Sequence, residues 1–442
     1  MSKFLKVVAI FFIAIGFTLP ILSDEGDIEI HGFGSWGMGK TWGANKLKQK
    51  KFYIDPTTGA PDPVAGKALP DEKERVNNYQ YGRSKLDMSN ADFALNISGN
   101  PYDNLTIFSQ IMFETYLRDT NIYLDYAFME YMINDFFILR AGKVKQPFGL
   151  YNETARVGTI RAFALLPQSV YGNQAMTGIA YKGLGVAGSY YTDSDWGIEY
   201  NLYGGSLLLD RTAEYALGFG LIDDVEYGEL EKNVVKDYLR KIVGAKLTFN
   251  TPYSLEFGLS AFASSTDVAR KGTEYDNKMY NLGAFLRFSK FGFEFSSEFV
   301  SSRNYLMVFD GEEAVGKYPD ITTAFYTILS YRLDKYQIAF MYDFFNYELA
   351  PERPASIPTY DGTMFLLNDS KYLDHQDIAI ALNYWVFPNL VFKTEYHYVK
   401  GLIFARPNHC NGEFYTNFLS NKSYNVGYET THLLQFIVQF SF

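Results

Sequence analysis

Segment after segment of this chain carries apolar residues at every second position, and this spacing constrains the fold more than any other feature. In the last segment His432, Leu434, Phe436, Val438, Phe440 and Phe442 share one parity, while Thr431, Leu433, Gln435, Ile437, Gln439 and Ser441 share the other. A period of two with unlike faces reads as a strand that is apolar on one side. Phe291, Phe293, Phe295 and Phe299 likewise oppose Gly292, Glu294, Ser296 and Glu298. Ile378, Ile380, Leu382, Tyr384 and Val386 oppose Ala379, Ala381, Asn383 and Trp385.

The pattern predicts about 16 strands, near 28–40, 83–98, 104–117, 121–132, 136–142, 178–192, 196–206 and 239–250 in the first half. In the second half they fall near 254–265, 276–288, 291–303, 321–332, 335–347, 375–387, 390–400 and 430–442. Short turns such as Asp193–Asp195, Thr251–Tyr253 and Ser289–Lys290 alternate with connections that are mostly long, among them 41–82, 143–177, 207–238, 266–275, 304–320, 348–374 and 401–429. A soluble sandwich has no reason to gather its long loops at one end. An all-β transmembrane barrel of antiparallel strands does, with short periplasmic turns, long extracellular loops and an even strand number. Closing the last strand on the first removes every sheet edge. The length of 442 residues, which would otherwise suggest two or three soluble domains, then belongs to one.

Composition fits this reading. The chain holds 36 Tyr and 38 Phe but only 4 Trp, at a mean hydropathy of −0.14. Rings facing lipid, with Tyr in the interfacial girdles, combine many aromatics with a polar opposite parity. A single cysteine, Cys410, excludes an internal disulfide, and a net charge of −10 argues against a nucleic-acid partner. At the N-terminus Lys3 and Lys6 precede the apolar run Val7 to Phe17, and Leu22-Ser23 before Asp24 offers a cleavage point. Residues 1–23 are thus expected to be a signal peptide and 24–442 the barrel. Loss of the leader removes two lysines and no acid, giving a mature charge of −12.

Two nucleotide-like motifs fail their context. Gly32-Phe33-Gly34-Ser35-Trp36-Gly37 matches a dinucleotide fingerprint, and Gly34 to Thr41, through Lys40, matches a P-loop. Each requires a helix directly after its glycines, and here they run on into Trp42-Gly43. A glycine-rich strand at a curved barrel seam is expected instead, with no nucleotide bound. His409-Cys410 has no second cysteine for a metal, and no nucleophile, base and orienter stand in a recognisable order. Neither cofactor, metal nor catalysis is expected.

The run Arg140-Ala141-Gly142-Lys143-Val144-Lys145-Gln146-Pro147-Phe148-Gly149-Leu150-Tyr151, followed by Leu165-Leu166-Pro167-Gln168-Ser169-Val170-Tyr171, resembles a strand-and-loop block of Gram-negative porins related to the phosphate-selective porins O and P and to DcaP-type porins. Phe442, with aromatics at alternate positions before it, is similar to the signal read by the outer-membrane insertion machinery. The resemblance implies an outer-membrane barrel whose third long loop folds into the lumen and narrows it. It also implies homotrimer formation. The chain departs from those families in lacking an N-terminal coiled coil and repeated basic rows, so their solutes are not carried over.

Loop 143–177 carries Lys143, Lys145, Arg156 and Arg161 against one acid, Glu153, a local charge of +3. Pro147 and Pro167 stiffen it. Basic side chains at a narrow point favour anions, so these five residues are the candidate constriction. Solvated loop charges meeting lipopolysaccharide phosphates are the alternative. By parity Glu114, Arg140, Glu294, Glu298, Lys393, Glu395 and His397 are expected to line the lumen, where mixed charges keep a wall wet. The function expected is passive diffusion of small hydrophilic solutes, with a weak anion preference, in contact with outer-membrane lipid and lipopolysaccharide. A transporter of hydrophobic substrates would need an apolar inner path, and a surface adhesin would use the long loops.

Overall fold

The computed structural model describes residues 28–44, 52–54, 61–63, 86–116, 119–172, 176–177, 180–208, 239–270, 273–310, 313–348, 356–358, 364–366, 374–401 and 430–442. The expected leader and His409-Cys410 lie outside them.

The first barrel strands are β1 (Ile28–Ala44), β2 (Asp87–Tyr102), β3 (Leu105–Tyr116) and β4 (Asp119–Asn134). Next come β5 (Phe137–Lys145), β6 (Ala180–Tyr191), β7 (Gly197–Leu208) and β8 (Leu239–Asn250). They continue as β9 (Leu255–Arg270), β10 (Thr273–Lys290), β11 (Phe293–Asp310) and β12 (Glu313–Leu333). The last are β13 (Tyr336–Glu348), β14 (His375–Phe387), β15 (Leu390–Gly401) and β16 (Thr430–Ser441). Each pairs with its sequence neighbour and β16 pairs with β1, so the 16 strands form one closed barrel. The expected fold class is the one observed.

The seam explains the glycine motif. Phe33 pairs with Ser441 and the ladder runs on to Ala44 opposite Thr430. Gly32 and Phe442 exchange two backbone hydrogen bonds, of 3.0 and 2.8 Å. A Cβ on Gly32 would overlap the Phe442 ring, and one on Gly34 would overlap the Phe440 ring. The glycines make room for the terminal aromatics, and Lys40 sits in the same unbroken strand opposite Leu434. Gly32→Leu should therefore weaken closure by about 1–3 kcal/mol of overpacking, seen as loss of the compact, heat-modifiable form in unboiled electrophoresis.

Two stretches expected to be loops are strands. The β9–β10 ladder continues to Arg270 opposite Thr273, and β11–β12 to Asp310 opposite Glu313. Beyond the expected ends the sequence loses its period of two, running Tyr305-Leu306-Met307-Val308-Phe309 without a break in β11 and mixing polar with apolar residues elsewhere, while backbone pairing persists. The turn before β11 also moves. Phe291 and Gly292 adopt positive φ, 55° and 82°, the geometry of a two-residue hairpin turn whose twist matches its strands. Phe291 is thus in the turn rather than at the head of the strand.

Outward positions are apolar and exposed, as with Leu184, Leu202, Val243, Leu282, Phe340 and Leu382. The inner side is not uniformly polar, which corrects the expectation that the rings all face lipid. Phe148, Phe163 and Val170 of the loop after β5 pack on inward Tyr203, Phe262 and Met279, forming a core inside the barrel. Fully burying one such side chain contributes about 1.5–3 kcal/mol, so the loop has a hydrophobic reason to fold inward.

Candidate functional site

The loop between β5 and β6 makes a lap of the inner wall. Its first contact is the Pro147-Phe148-Gly149 corner. Phe148 is fully buried and meets the Phe262 ring edge-on at 5.5 Å. Gly149 has φ +62°, and an added Cβ would overlap Glu298 and the Tyr171 hydroxyl. Only glycine brings the backbone this close.

Glu298 on β11 is the first clamp. It accepts hydrogen bonds from the Tyr171 hydroxyl at 2.5 Å, the Tyr326 hydroxyl at 3.0 Å and the Leu150 N–H at 3.4 Å. The Tyr171 oxygen in turn accepts from the Leu150 and Tyr151 N–H groups, both at 3.0 Å, which stitches the two limbs of the loop together. Burial pushes the Tyr151 phenol up to about 12. Burial and the neighbouring Glu298 charge raise Tyr171 well above the usual phenol range. The Tyr171 hydroxyl therefore stays a donor in neutral and mildly alkaline solution.

The second clamp lies on β15. Glu395 accepts from the Ala164 N–H at 2.5 Å and from Gln435 at 2.7 Å. Lys393, fully buried, donates to the Arg161 carbonyl at 2.6 Å and to the Gly158 carbonyl at 2.9 Å. His397 lies behind them, 2.7 Å from Asp377 and 3.4 Å from Glu395. Asn383 donates to the Ala162 carbonyl at 2.8 Å, and Asp343 accepts from the Ser169 N–H at 3.1 Å. The wall thus grips the loop by its main chain, with charge-assisted bonds that are stronger than neutral ones.

The expected constriction residues divide. Lys145 meets Asp125 at 2.6 Å, and Asp125 also accepts from Gln110 at 2.6 Å. Arg156 meets Glu114 at 2.9 Å and the Tyr123 hydroxyl at 3.0 Å. Burial opposes the Arg156 charge, but Tyr123, Glu114, Asp125 and Asp92 outweigh it and hold the guanidinium above its usual range. Glu153 pairs with Lys246 at 3.2 Å, and Arg161 is buried with its Nε 3.4 Å from the Val157 carbonyl. Lys143 departs from the expectation. It is paired with Lys182 on the parity that exposes Leu139 and Leu184, so it stands on the outer wall. The strand persists through Lys145, and strand alternation turns position 143 outward.

Of the expected lumen residues, Glu114 holds Arg156, while Glu298, Lys393, Glu395 and His397 serve the clamps. Arg140 faces inward, paired with Glu130 at 2.8 Å and donating to Asn201 at 3.0 Å. Glu294 is inward and half-buried near Arg287. Arg140, Glu153, Glu199, Asn201, Lys246 and Glu256 help line a polar cavity of about 250 Å³ at the short-turn end. Sequence reasoning passed over Asp125, at a bulge in β4 where the parity shifts, and Asp343, Asn383 and Tyr326, polar groups on the inward parity of their strands. That parity was the signal that could have found the last three.

Among the described residues no group of three or more His, Cys, Asp or Glu is placed to hold a metal. No family model matches the chain, and no curated protein matches it. Solved structures do. OmpT, an outer membrane protein of Vibrio cholerae in its trimer form, matches at a TM-score of 0.50 and 10% identity, over 95% of this chain and 100% of that one. The outer membrane channel DcaP of Acinetobacter baumannii matches at a TM-score of 0.50 and 10% identity, over 95% of this chain and 99% of that one. At this identity the likeness is one of fold, and the fold is the closed 16-strand barrel of the outer-membrane porins.

Proposed function

We propose that this chain is an outer-membrane porin, a passive diffusion channel for small hydrophilic solutes, assembled as a trimer like the matched OmpT form. The observation that carries the reading is the inward loop clamped to a charged inner wall while the outer parity is apolar. A barrel of this strand number leaves an aqueous lumen, and a loop fastened inside it narrows the path without chemistry. A carrier of hydrophobic substrates would need an apolar path, and the polar cavity at the short-turn end opposes that. The seam strand ending at Phe442 is the segment offered to the insertion machinery. Purified protein should conduct in discrete steps across planar bilayers, and a protein that inserts yet never conducts would refute the channel.

Charge selectivity follows from the pairing. The basic residues of the loop suggested a weak anion preference, and the pairing of Lys145 with Asp125 and of Arg156 with Glu114 supports selectivity that is weak. Lys145→Ala with Arg156→Ala leaves both carboxylates facing the lumen. Bi-ionic reversal potentials should then shift toward cations, whereas Lys143→Ala, on the outer wall, should shift them little. An unchanged potential in the double variant would remove these residues from the permeation path.

A further inference from the structure

The outer wall carries a basic tier that the channel does not use. Ladder register places Lys182 on β6 opposite Ser206 on β7, Ser206 opposite Lys241 on β8, Lys241 opposite Ser265 on β9, and Ser265 opposite Lys278 on β10. Lys143 continues the tier on β5. All stand on the outward parity, since two positions along each of their strands Leu184 is 70% exposed, Val243 63% and Tyr280 48%. In a chain of net charge −10 this tier contains four lysines and no acid. Strands lie about 4.8 Å apart, so lysines on alternate strands sit roughly 10 Å from one another.

Directly toward the membrane from this tier, the wall is apolar and indented. Gly204, Ala245 and Ala263 lie between Leu184, Val243 and Tyr280, leaving an open groove of about 810 Å³. The tier is at the long-connection end of its strands, because 146–179 intervene between β5 and β6 and 209–238 between β7 and β8. The long connections of an outer-membrane barrel face outward, which sets the lysines at the headgroup level of the outer leaflet and the groove among its acyl chains.

From this juxtaposition we propose a lipid-binding site on β6–β10 for a phosphorylated, multiply acylated glycolipid, the lipopolysaccharide of the outer leaflet. Its phosphates lie along the Lys182, Lys241 and Lys278 row, and an acyl chain lies in the groove over Gly204. The spaced cations fit phosphates carried on one sugar headgroup, and Ser206 and Ser265 offer hydroxyl donors between them. The inference rests on the reading of the chain as an outer-membrane barrel with its long connections outside.

The test uses the full-length protein refolded in detergent and titrated with purified lipopolysaccharide, with binding followed by native mass spectrometry. EDTA is present so that bridging by divalent cations contributes nothing. Lys182→Glu with Lys241→Glu and Lys278→Glu should weaken binding by roughly tenfold or more, with single-channel conductance unchanged. An added Cβ on Gly204 has room, its nearest contact being the Ile242 carbonyl at 3.5 Å, so Gly204→Leu should fill the groove without strain. It should cost roughly threefold in affinity with every lysine in place.

A triple variant that binds as tightly as the parent overturns the site. Bicelles of phosphatidylglycerol that bind as well as lipopolysaccharide, and lose binding in the same variant, replace the glycolipid with bulk anionic lipid and overturn the assignment. Should the glutamates prevent folding, Gly204→Leu decides alone, and an unchanged affinity there refutes the proposal. A parent protein that binds lipopolysaccharide but never conducts would refute the porin reading and leave the lipid site standing.

Discussion

Glu298→Ala should turn steady channel steps into flickering ones. The carboxylate accepts from Tyr171, Tyr326 and Leu150, so its removal leaves two buried hydroxyl donors without their acceptor, while the Leu150 N–H keeps only its bond to the Tyr171 oxygen. Breaking a buried charged network by deleting one partner costs about 3–5 kcal/mol, and here that cost falls on the docking of the loop rather than on the barrel ladder. The freed loop would visit the lumen and interrupt the current. Two measurements check this: open-channel noise in planar bilayers, and protease cleavage between residues 150 and 170. Glu298→Gln keeps an acceptor and loses only the charge, so its noise should lie nearer the parent. A quiet Glu298→Ala channel with a protected loop would mean that the Phe148 and Phe163 packing holds the loop unaided.

Gly149→Ala should do comparable damage for a different reason. At φ +62° an alanine is strained by about 1–2 kcal/mol. Its methyl group also collides with the Glu298 carboxylate and the Tyr171 hydroxyl, and overpacking of this kind costs about 1–3 kcal/mol more. The two substitutions share a partner, so they should not add. In a double-mutant cycle Gly149→Ala should be markedly milder in the Glu298→Ala background, because the obstructing carboxylate is gone. Thermal unfolding and loop cleavage on all four proteins give the coupling, and strict additivity would place the strain of Gly149 elsewhere.

How much of this was legible in the sequence depends on the element. The strand run Ile378 to Val386 was readable because each outward residue is apolar and each inward one is small, polar or hidden, and β14 spans His375–Phe387, the expected 375–387. The upper parts of β9 to β12 were not, because there the period of two breaks down, as in the unbroken run Tyr305 to Phe309, while the pairing that continues the strands is invisible to hydropathy. In the site, Glu298, Lys393 and Glu395 were found by parity, but their purpose was not. Parity says which way a side chain points and nothing about a loop backbone arriving from 130 or more positions away, as Leu150 does at Glu298 and Ala164 at Glu395. Lys143 was misplaced for the converse reason: loop charge was counted before the strand end was known.

A loop held by its main chain has an evolutionary and engineering consequence. The wall contacts the N–H and carbonyl groups of residues 149, 150, 158, 161, 162, 164 and 169, groups that survive almost any substitution. Thr154, Ala155, Thr159 and Ile160 are half-buried or exposed, and none supplies a clamp. Their side chains can be rewritten without loosening the mount. The solute filter is in effect an interchangeable insert on a fixed bracket, so new permeation properties can arise here at little cost to folding.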